Sequence, residues 1–435
     1  MYRVPYGKGE LAFDLPPGMH GTVLESRRLP PLPDVPAAVR DALAHPVGTP
    51  RLREMARSTD RVCIVFTDVT RACPDALLVG PILEELLAAG VAEENITFLC
   101  GVGMHRPSTE AEKIAKLGLE VVRRYRVVDH DARDPEALVD LGRTESGIPL
   151  SVNRIAYESD LLIATGLVEP HQYAGYSGGA KTLAVGAAGE AMIAYTHGPQ
   201  MLEHPATRLG RVEGNPFREA LEEAARRAGL RFIVNLVLDD EKQVVAVRAG
   251  DPVEAFRELV EVARSLYEVP IPHPYDVAVA GVGFPKDANL YQASRAATYL
   301  HFAPTPVVRP GGTYIIPAPC PEGAGEGAGE QRFYQALKNA SSMPALVEQL
   351  RREGYPPGEQ RAFVVAKVLC EANIIVVGAH CPEVVREAKM IPAATMEEAF
   401  EWVQQHQGAE AEVLIVPHAL LTLPVVTPPP GVARS

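Results

Sequence analysis

Short apolar runs alternate with amphipathic helical patterns along most of this chain, and that alternation narrows its folding options more than any other feature. A brief apolar run bounded by turn residues suits a strand buried on both faces. Helices between such strands pack back onto the sheet, which makes neighbouring strands parallel. Residues 61–67 (RVCIVFT) read as one such strand, and 76–89 as a helix stopped by Gly90. Residues 95–100 read as the next strand. Thr109 and Glu112 have the spacing of a capping box for a helix ending near Gly118. Residues 121–129 and 161–166 complete this strand-like set. Asn215-Pro216 and Asp251-Pro252 are matching helix starts, each a polar cap followed by proline at the first helical position.

A second alternation begins at Asp276 (DVAVAGVGF). It runs through a helix-like 288–299, a strand-like 312–317, a glycine-rich loop at 322–330, a helix at 360–372, a strand at 374–378, a helix at 396–405 and a strand at 413–416. The proline-rich stretch 269–275 (VPIPHPY) separates the two alternations. A chain of 435 residues is long for one core. The expected fold is therefore two α/β domains, 1–270 and 271–435, with mostly parallel sheets and an active site in the cleft between them. The proline-rich last residues read as a loose tail.

Charge and composition remove several function classes. The net charge of −13 argues against nucleic acid or an anionic membrane as a general partner, because phosphate binding needs clustered Lys and Arg. The opening MYRVPYGKGELAFDLPPG has no apolar core of a signal peptide, and no apolar run reaches membrane-spanning length. The six cysteines are scattered without a CxxC pair and read as buried or idle thiols. The expected compartment is the cytoplasm.

Against this background one stretch concentrates chemistry. Residues 169–197 (EPHQYAGYSGGAKTLAVGAAGEAMIAYTH) hold His171, Lys181 and His197 among small residues. Imidazole moves protons or binds metal near neutral pH, and a lysine with a lowered pKa becomes a covalent anchor. The glycine-rich Ser177, Gly178 and Gly179 offer backbone amides to an anion. GYSGGAKT at 175–182 nearly fits a phosphate loop, but Ala180 stands at the last glycine and His171 lies between the strand and the motif.

Other candidates follow strand ends, where ligands gather in open α/β sheets. Asp68, Thr70 and Arg71 lie in FTDVTR, with Arg71 able to clamp a carboxylate or phosphate. His105 lies in GVGMHRP and is available for proton transfer. Tyr291, Gln292 and Arg295 lie in GVGFPKDANLYQASR, where the amide and guanidinium, three apart, share a helix face. Each has an ordinary reading as well: a helix-capping Asp, a solvated Arg, a loop His bonded to a carbonyl. The EGAGEGAGE loop at 322–330 lacks the uninterrupted strand of a dinucleotide site, because Pro317, Pro319 and Pro321 precede it.

Taken together, these segments resemble the nickel-dependent lactate racemase family. The matching pieces are TDVTR at 67–71, GVGMHRPSTEAE at 101–112, EPHQYAGYSGGAK at 169–181, TH at 196–197, HPATRLGRVEGNP at 204–216 and DANLYQASRA at 287–296. They occur in the family's order and span most of the chain. The resemblance implies a nickel-pincer nucleotide, a pyridinium-3-thioamide-5-thiocarboxylate mononucleotide carrying Ni, covalently held on Lys181. It implies His197 as the nickel ligand and His105 and His171 as acid/base groups. The phosphate would rest on the Ser177–Gly179 amides and near Asp68, Thr70 and Arg71. Implied partners are a small 2-hydroxy acid and the separate enzymes that build the pincer.

The implied reaction is racemisation or epimerisation of a 2-hydroxy acid by proton-coupled hydride transfer. Deprotonating carbon beside a carboxylate is difficult, and a hydride route through a flat 2-keto acid avoids it. Two bases on opposite sides are then required. The chain departs from the family's pattern in three places: Arg295 replaces a lysine, Arg361 (in Glu359-Gln360-Arg361) replaces a tryptophan, and Ala180 replaces an arginine. Arg is no neutral substitute for Lys, since its planar fork favours bidentate carboxylates. A larger, more polar or dicarboxylic substrate is therefore expected in place of lactate. The competing readings are a cofactor-holding homologue without turnover and, behind it, a phosphate-loop hydrolase.

Overall fold

A computed structural model describes residues 1–356 and 358–427. The proline-rich tail expected at the carboxyl end lies largely outside the described residues. The chain forms two compact units. The first unit consists of Arg28–His197 and Val212–Leu266; the second consists of Met1–Arg27, Gly198–Arg211 and the chain from Tyr267 onward. A single cut at 270 differs from this because the second unit recruits two early segments. The strand His20–Val23 pairs in parallel with Glu412–Val416, which makes the amino terminus the edge of the second unit's sheet.

The first unit is built on a six-stranded sheet. Its order is Val244–Gly250, Leu230–Leu238, Leu161–Leu167, Val62–Thr67, Ile96–Gly101 and Arg126–Asp129. All pairings are parallel except the one between Val244–Gly250 and Leu230–Leu238. Val62–Thr67 and Leu161–Leu167 are buried at every position, as continuous apolar runs require when helices cover both faces. Phe66 and Phe98 meet edge-on at 6.4 Å, and Phe98 meets Tyr125 at 5.6 Å. Each such buried aromatic contributes roughly 1.5–3 kcal/mol of apolar transfer.

Helix boundaries follow local chemistry. Thr109 and Glu112 form the expected reciprocal capping box for Glu110–Leu117. Asn215 accepts from Phe217 N and Arg218 N at the start of Pro216–Arg227. Asp251 accepts from Val253 N and Glu254 N ahead of Glu254–Tyr267. Two expectations fail. Residues 121–129 are not one strand: Gly118 (φ +88°) ends one helix and launches another, Leu119–Arg124, leaving only Arg126–Asp129 to pair. Val121 and Val122 pack on the core from helical backbone, so tertiary packing overrides their β preference. The helix expected over 288–299 is two short helices, Leu290–Ala293 and Arg295–His301, divided at Ser294.

The second unit carries a six-stranded, wholly parallel sheet. Its order is Ile391–Ala393, Asn373–Val377, Val308–Pro317, Tyr275–Ala280, Glu412–Val416 and His20–Val23. Val277, Val279, Ile315, Ile375, Val413 and Phe400 form its core. The expected glycine-rich loop at 322–330 runs into the helix Ala328–Asn339, with Glu330 accepting from Gly327 N at 2.9 Å. Among the described residues no helix is long and apolar enough to cross a membrane.

Candidate active site

Strand order fixes where this site lies. From Val62–Thr67 the chain moves to Ile96–Gly101 on one side, and later to Leu161–Leu167 on the other. Such a reversal opens a crevice at the carboxyl ends of the two central strands. Asp68, Thr70 and Arg71 follow the first of these strands, and residues 169–181 follow the second. His105 follows the next strand out.

Asp68 is nearly buried and accepts two hydrogen bonds. His105 Nδ1 donates to its Oδ2 at 2.7 Å, and Thr70 Oγ1 donates to its Oδ1 at 2.7 Å. Burial alone would raise the Asp68 pKa, but the bonds from His105 and Thr70 and the charges of His105 and Arg71 outweigh it and hold the carboxyl below its usual value. With its hydrogen on Nδ1, His105 has its lone pair at Nε2. Its side chain is 53 % exposed, which suits a proton carrier facing an incoming ligand.

The loop beneath is pinned by buried charges. Lys116 Nζ lies 2.6 Å from Asp75 Oδ2 and donates to Thr67 Oγ1 at 2.8 Å and to the Cys73 carbonyl at 2.6 Å. Asp75 also accepts from Thr165 Oγ1. One fully satisfied pair thus ties the helix after His105 to both central strands.

Between Leu161–Leu167 and Lys181 the chain makes a short hairpin, Pro170–His171 against Gly175–Tyr176. The Tyr173 and Ala174 amides donate to His171 Nδ1 at 3.3 and 3.2 Å, so the neutral ring carries its hydrogen on Nε2. Burial, then the charges of Lys181, Arg71, His197 and Arg218, push His171 well below the ordinary histidine pKa. His197 shows the opposite tautomer. Its Nδ1 lies 2.9 Å from the Ile193 carbonyl, to which it donates. Burial lowers His197 to a pKa of about 4, so at neutral pH the ring is uncharged with its lone pair on Nε2. A second-sphere carbonyl bond of this kind is the usual support of a metal-binding histidine. The His171, Tyr173, His197 and Phe217 rings form one cluster, with His197 5.2 Å and His171 6.4 Å from Phe217.

Lys181 is 8 % exposed, and among the described residues its amine has no hydrogen-bond or ion-pair partner. Burial, followed by the charges of Arg71 and Arg218, lowers its pKa well below that of free lysine, against opposing pulls from Glu169 and Asp68. A buried lysine in this state is nucleophilic. The Arg71 guanidinium likewise has no hydrogen-bond or ion-pair partner among the described residues. The charges that act on this amine are two guanidiniums, Arg71 and Arg218, and two carboxylates, Glu169 and Asp68.

Two sequence expectations change here. The amides of Ser177 and Gly179 are already bonded, to the Glu169 carbonyl at 2.8 Å and to Asn235 Oδ1 at 2.7 Å. Of the three, only the Gly178 amide makes no hydrogen bond among the described residues. Gly178 (φ +80°) and Gly179 (φ +60°) serve packing instead: an added Cβ would come within 2.7 Å of Val168 and 2.9 Å of Phe256. An anion would therefore rely on Arg71. The hairpin before Lys181 also separates this loop from a phosphate loop, which follows its strand directly.

Among the described residues, no three His, Cys, Asp or Glu side chains gather as a metal site. A metal beside His197 would need donors from another group, and the unpartnered amine of Lys181 is suited to carry one. These residues fit a covalently held, anionic, metal-bearing cofactor.

Tyr291, Gln292, Arg295 and Arg361 lie in the second unit, after its own central strand Tyr275–Ala280. The Arg361 guanidinium is 5.6 Å from the Tyr291 ring centroid and donates to Thr298 Oγ1 at 3.0 Å. Among the described residues, Gln292 Oε1 and Arg295 Nε are buried without a hydrogen-bond partner. The guanidiniums suit an anion, and the Gln292 carbonyl oxygen suits a hydroxyl donor.

Sequence reasoning missed Arg218, Asn235, Phe217 and the Lys116–Asp75 pair. Only the NP helix start offered a signal, by placing Phe217 and Arg218 in a first helical turn.

A model of the lactate racemase N-terminal domain matches residues 6–210, and one of the lactate racemase C-terminal domain matches 272–423. The chain is 30 % identical over 419 residues to a lactate racemase of Thermoanaerobacterium thermosaccharolyticum, covering 95 % of this chain and 97 % of that protein. It is 32 % identical over 387 residues to one of Lactiplantibacillus plantarum, covering 88 % and 89 %. The solved lactate racemase apoprotein from T. thermosaccharolyticum superposes with a TM-score of 0.87 at 29 % identity, over 97 % of this chain and 99 % of that one. A Thermotoga maritima protein shares the fold at TM-score 0.67 and 20 % identity, over 92 % of this chain and all of that one.

Proposed function

This chain belongs to the lactate racemase family and is an isomerase of that kind, and we propose that it racemises or epimerises a 2-hydroxy acid with a nickel-pincer nucleotide held covalently on Lys181. The observation that supports this reading most is the buried Lys181 amine, without a hydrogen-bond or ion-pair partner among the described residues, beside His171, His197 and Arg71. When bound, such a group supplies a carbon that accepts and returns hydride, so no carbanion forms beside the carboxylate. Lys181 holds the group, His197 Nε2 ligates its nickel, and Arg71 neutralises an anionic end. Arg71 would take over the part expected of the Ser177 and Gly179 amides. Asp68 and Thr70 act on His105 instead of on the phosphate.

His105 Nε2, with Asp68 behind Nδ1, takes the hydroxyl proton. His171 presents its Nε2 hydrogen to the substrate oxygen from a second direction. General acid/base groups of this sort contribute about 10²–10⁴-fold each. Within the second unit, Tyr291, Gln292, Arg295 and Arg361 are the proposed substrate-recognition groups, and two guanidiniums favour a substrate with a second anionic or polar group over lactate.

The test is co-production with the pincer-building enzymes, followed by intact mass, nickel analysis and chiral assay of a 2-hydroxy-acid panel. The expected results are a covalent adduct on Lys181, nickel in the folded protein, and better turnover of a dicarboxylic or polyhydroxy acid than of lactate. A loaded protein that turns over no 2-hydroxy acid would support the cofactor-holding alternative; lactate as clearly the best substrate would reject the altered specificity.

A further inference from the structure

We propose that Arg218 is a positioning residue for the anchoring lysine: its guanidinium grips the backbone at 174–178 and so sets Lys181 and His171 in one place. Arg218 is 1 % exposed, which makes it the largest fully buried side chain in the described chain. Its Nη1 donates to the Gly178 carbonyl at 3.0 Å, its Nε to the Ala174 carbonyl at 3.4 Å, and its Nη2 to the Tyr176 carbonyl. Its guanidinium carbon lies 4.2 Å from the Phe256 ring centroid, and Phe256 in turn lies against Gly179. Asn215, which caps the same helix, takes the Tyr173 carbonyl at 2.8 Å. Two side chains from one helix turn therefore occupy the carbonyls of residues 173, 174, 176 and 178.

No carboxylate explains the charge. Glu222 attracts Arg218 from a distance, but among the described residues Arg218 forms no ion pair. Burying a guanidinium costs several kcal/mol, and a Leu or Met in its place would pack without that cost. What an apolar residue cannot do is satisfy three carbonyls of a segment whose ladder is only two residue pairs long. That loop begins at His171, and Lys181 starts the short helix immediately after it. Without the fork, the freed oxygens become hydrogen-bond acceptors for the Lys181 amine and draw it into the loop.

The proposal rests on the reading of Lys181 as an anchor, but its test needs no cofactor. Apoprotein is acetylated with trace acetic anhydride at fixed pH, and the Lys181 rate is read by peptide mass spectrometry relative to exposed Lys242. Arg218→Met and Arg218→Lys, each shown to be folded by circular dichroism, are expected to lower that relative rate at least tenfold. A merely structural role would reduce Tm and leave the ratio unchanged. If Arg218→Met does not fold, Arg218→Lys and Arg218→Gln, which retain donors, carry the measurement. Folded variants that keep the ratio within twofold overturn the proposal, whether or not the loaded enzyme proves to use nickel.

Discussion

The two histidines assigned to proton transfer are held by opposite means. His105 stands half in solvent with a carboxylate on Nδ1, whereas His171 lies in a cationic hollow with backbone amides on Nδ1. The carboxylate takes the Nδ1 hydrogen and leaves Nε2 as a base; the amides favour the neutral ring and leave Nε2 as a donor. A racemase needs chemistry from two directions, but symmetry of outcome does not require symmetry of support. Here one limb is tuned to accept a proton and the other to offer one.

The comparison presupposes a tethered cofactor, so the largest effect is expected at the tether. Lys181→Ala should show no mass increase after co-production with the pincer-building enzymes and no detectable racemisation. Next come the limbs themselves: His105→Ala and His171→Ala should each retain the adduct yet lose about 10²–10⁴-fold in kcat. A large loss in only one of them would break the two-limb reading. Asp68→Asn should cost about tenfold, because it weakens the orientation of His105 while keeping the base. Nitrogen-15 spectra of histidine-labelled protein should show hydrogen on Nδ1 of His105 and on Nε2 of His171; matching tautomers would remove the asymmetry.

The smallest effect is on stability. Asp68 has a lower pKa folded than unfolded, so the unfolded chain binds more protons in acid. Its contribution, about 1 kcal/mol after allowing for the exposed His105, is present above the unfolded value near 4 and is lost as pH falls through the folded value. Urea midpoints of wild type and Asp68→Asn should differ at pH 7 and converge in acid.

Much of the frame was legible because continuous apolar runs such as 61–67 have few alternatives to a buried strand. The same signal in Leu230–Leu238 had no chemical motif beside it, and without it the antiparallel edge was not foreseen. His105, His171, Lys181 and His197 stood out because reactive side chains are rare in small-residue surroundings. Their supports did not. Asp68 is 37 residues from His105, and Arg218 is 44 from Ala174, so no local spacing announces either bond. The Ser177 and Gly179 amides misled for the same reason: their acceptors, Glu169 and Asn235, are brought near only by the hairpin and by strand order.

The pairing of His20–Val23 with Glu412–Val416 bears on how the polypeptide is made. About 390 residues separate the two strands, so at ordinary translation rates of about 5–20 residues per second the first must wait roughly 20–80 s for its neighbour to leave the ribosome. His20–Val23 is thus without its neighbour for that interval, and the second unit completes this edge of its sheet only once Glu412–Val416 has emerged.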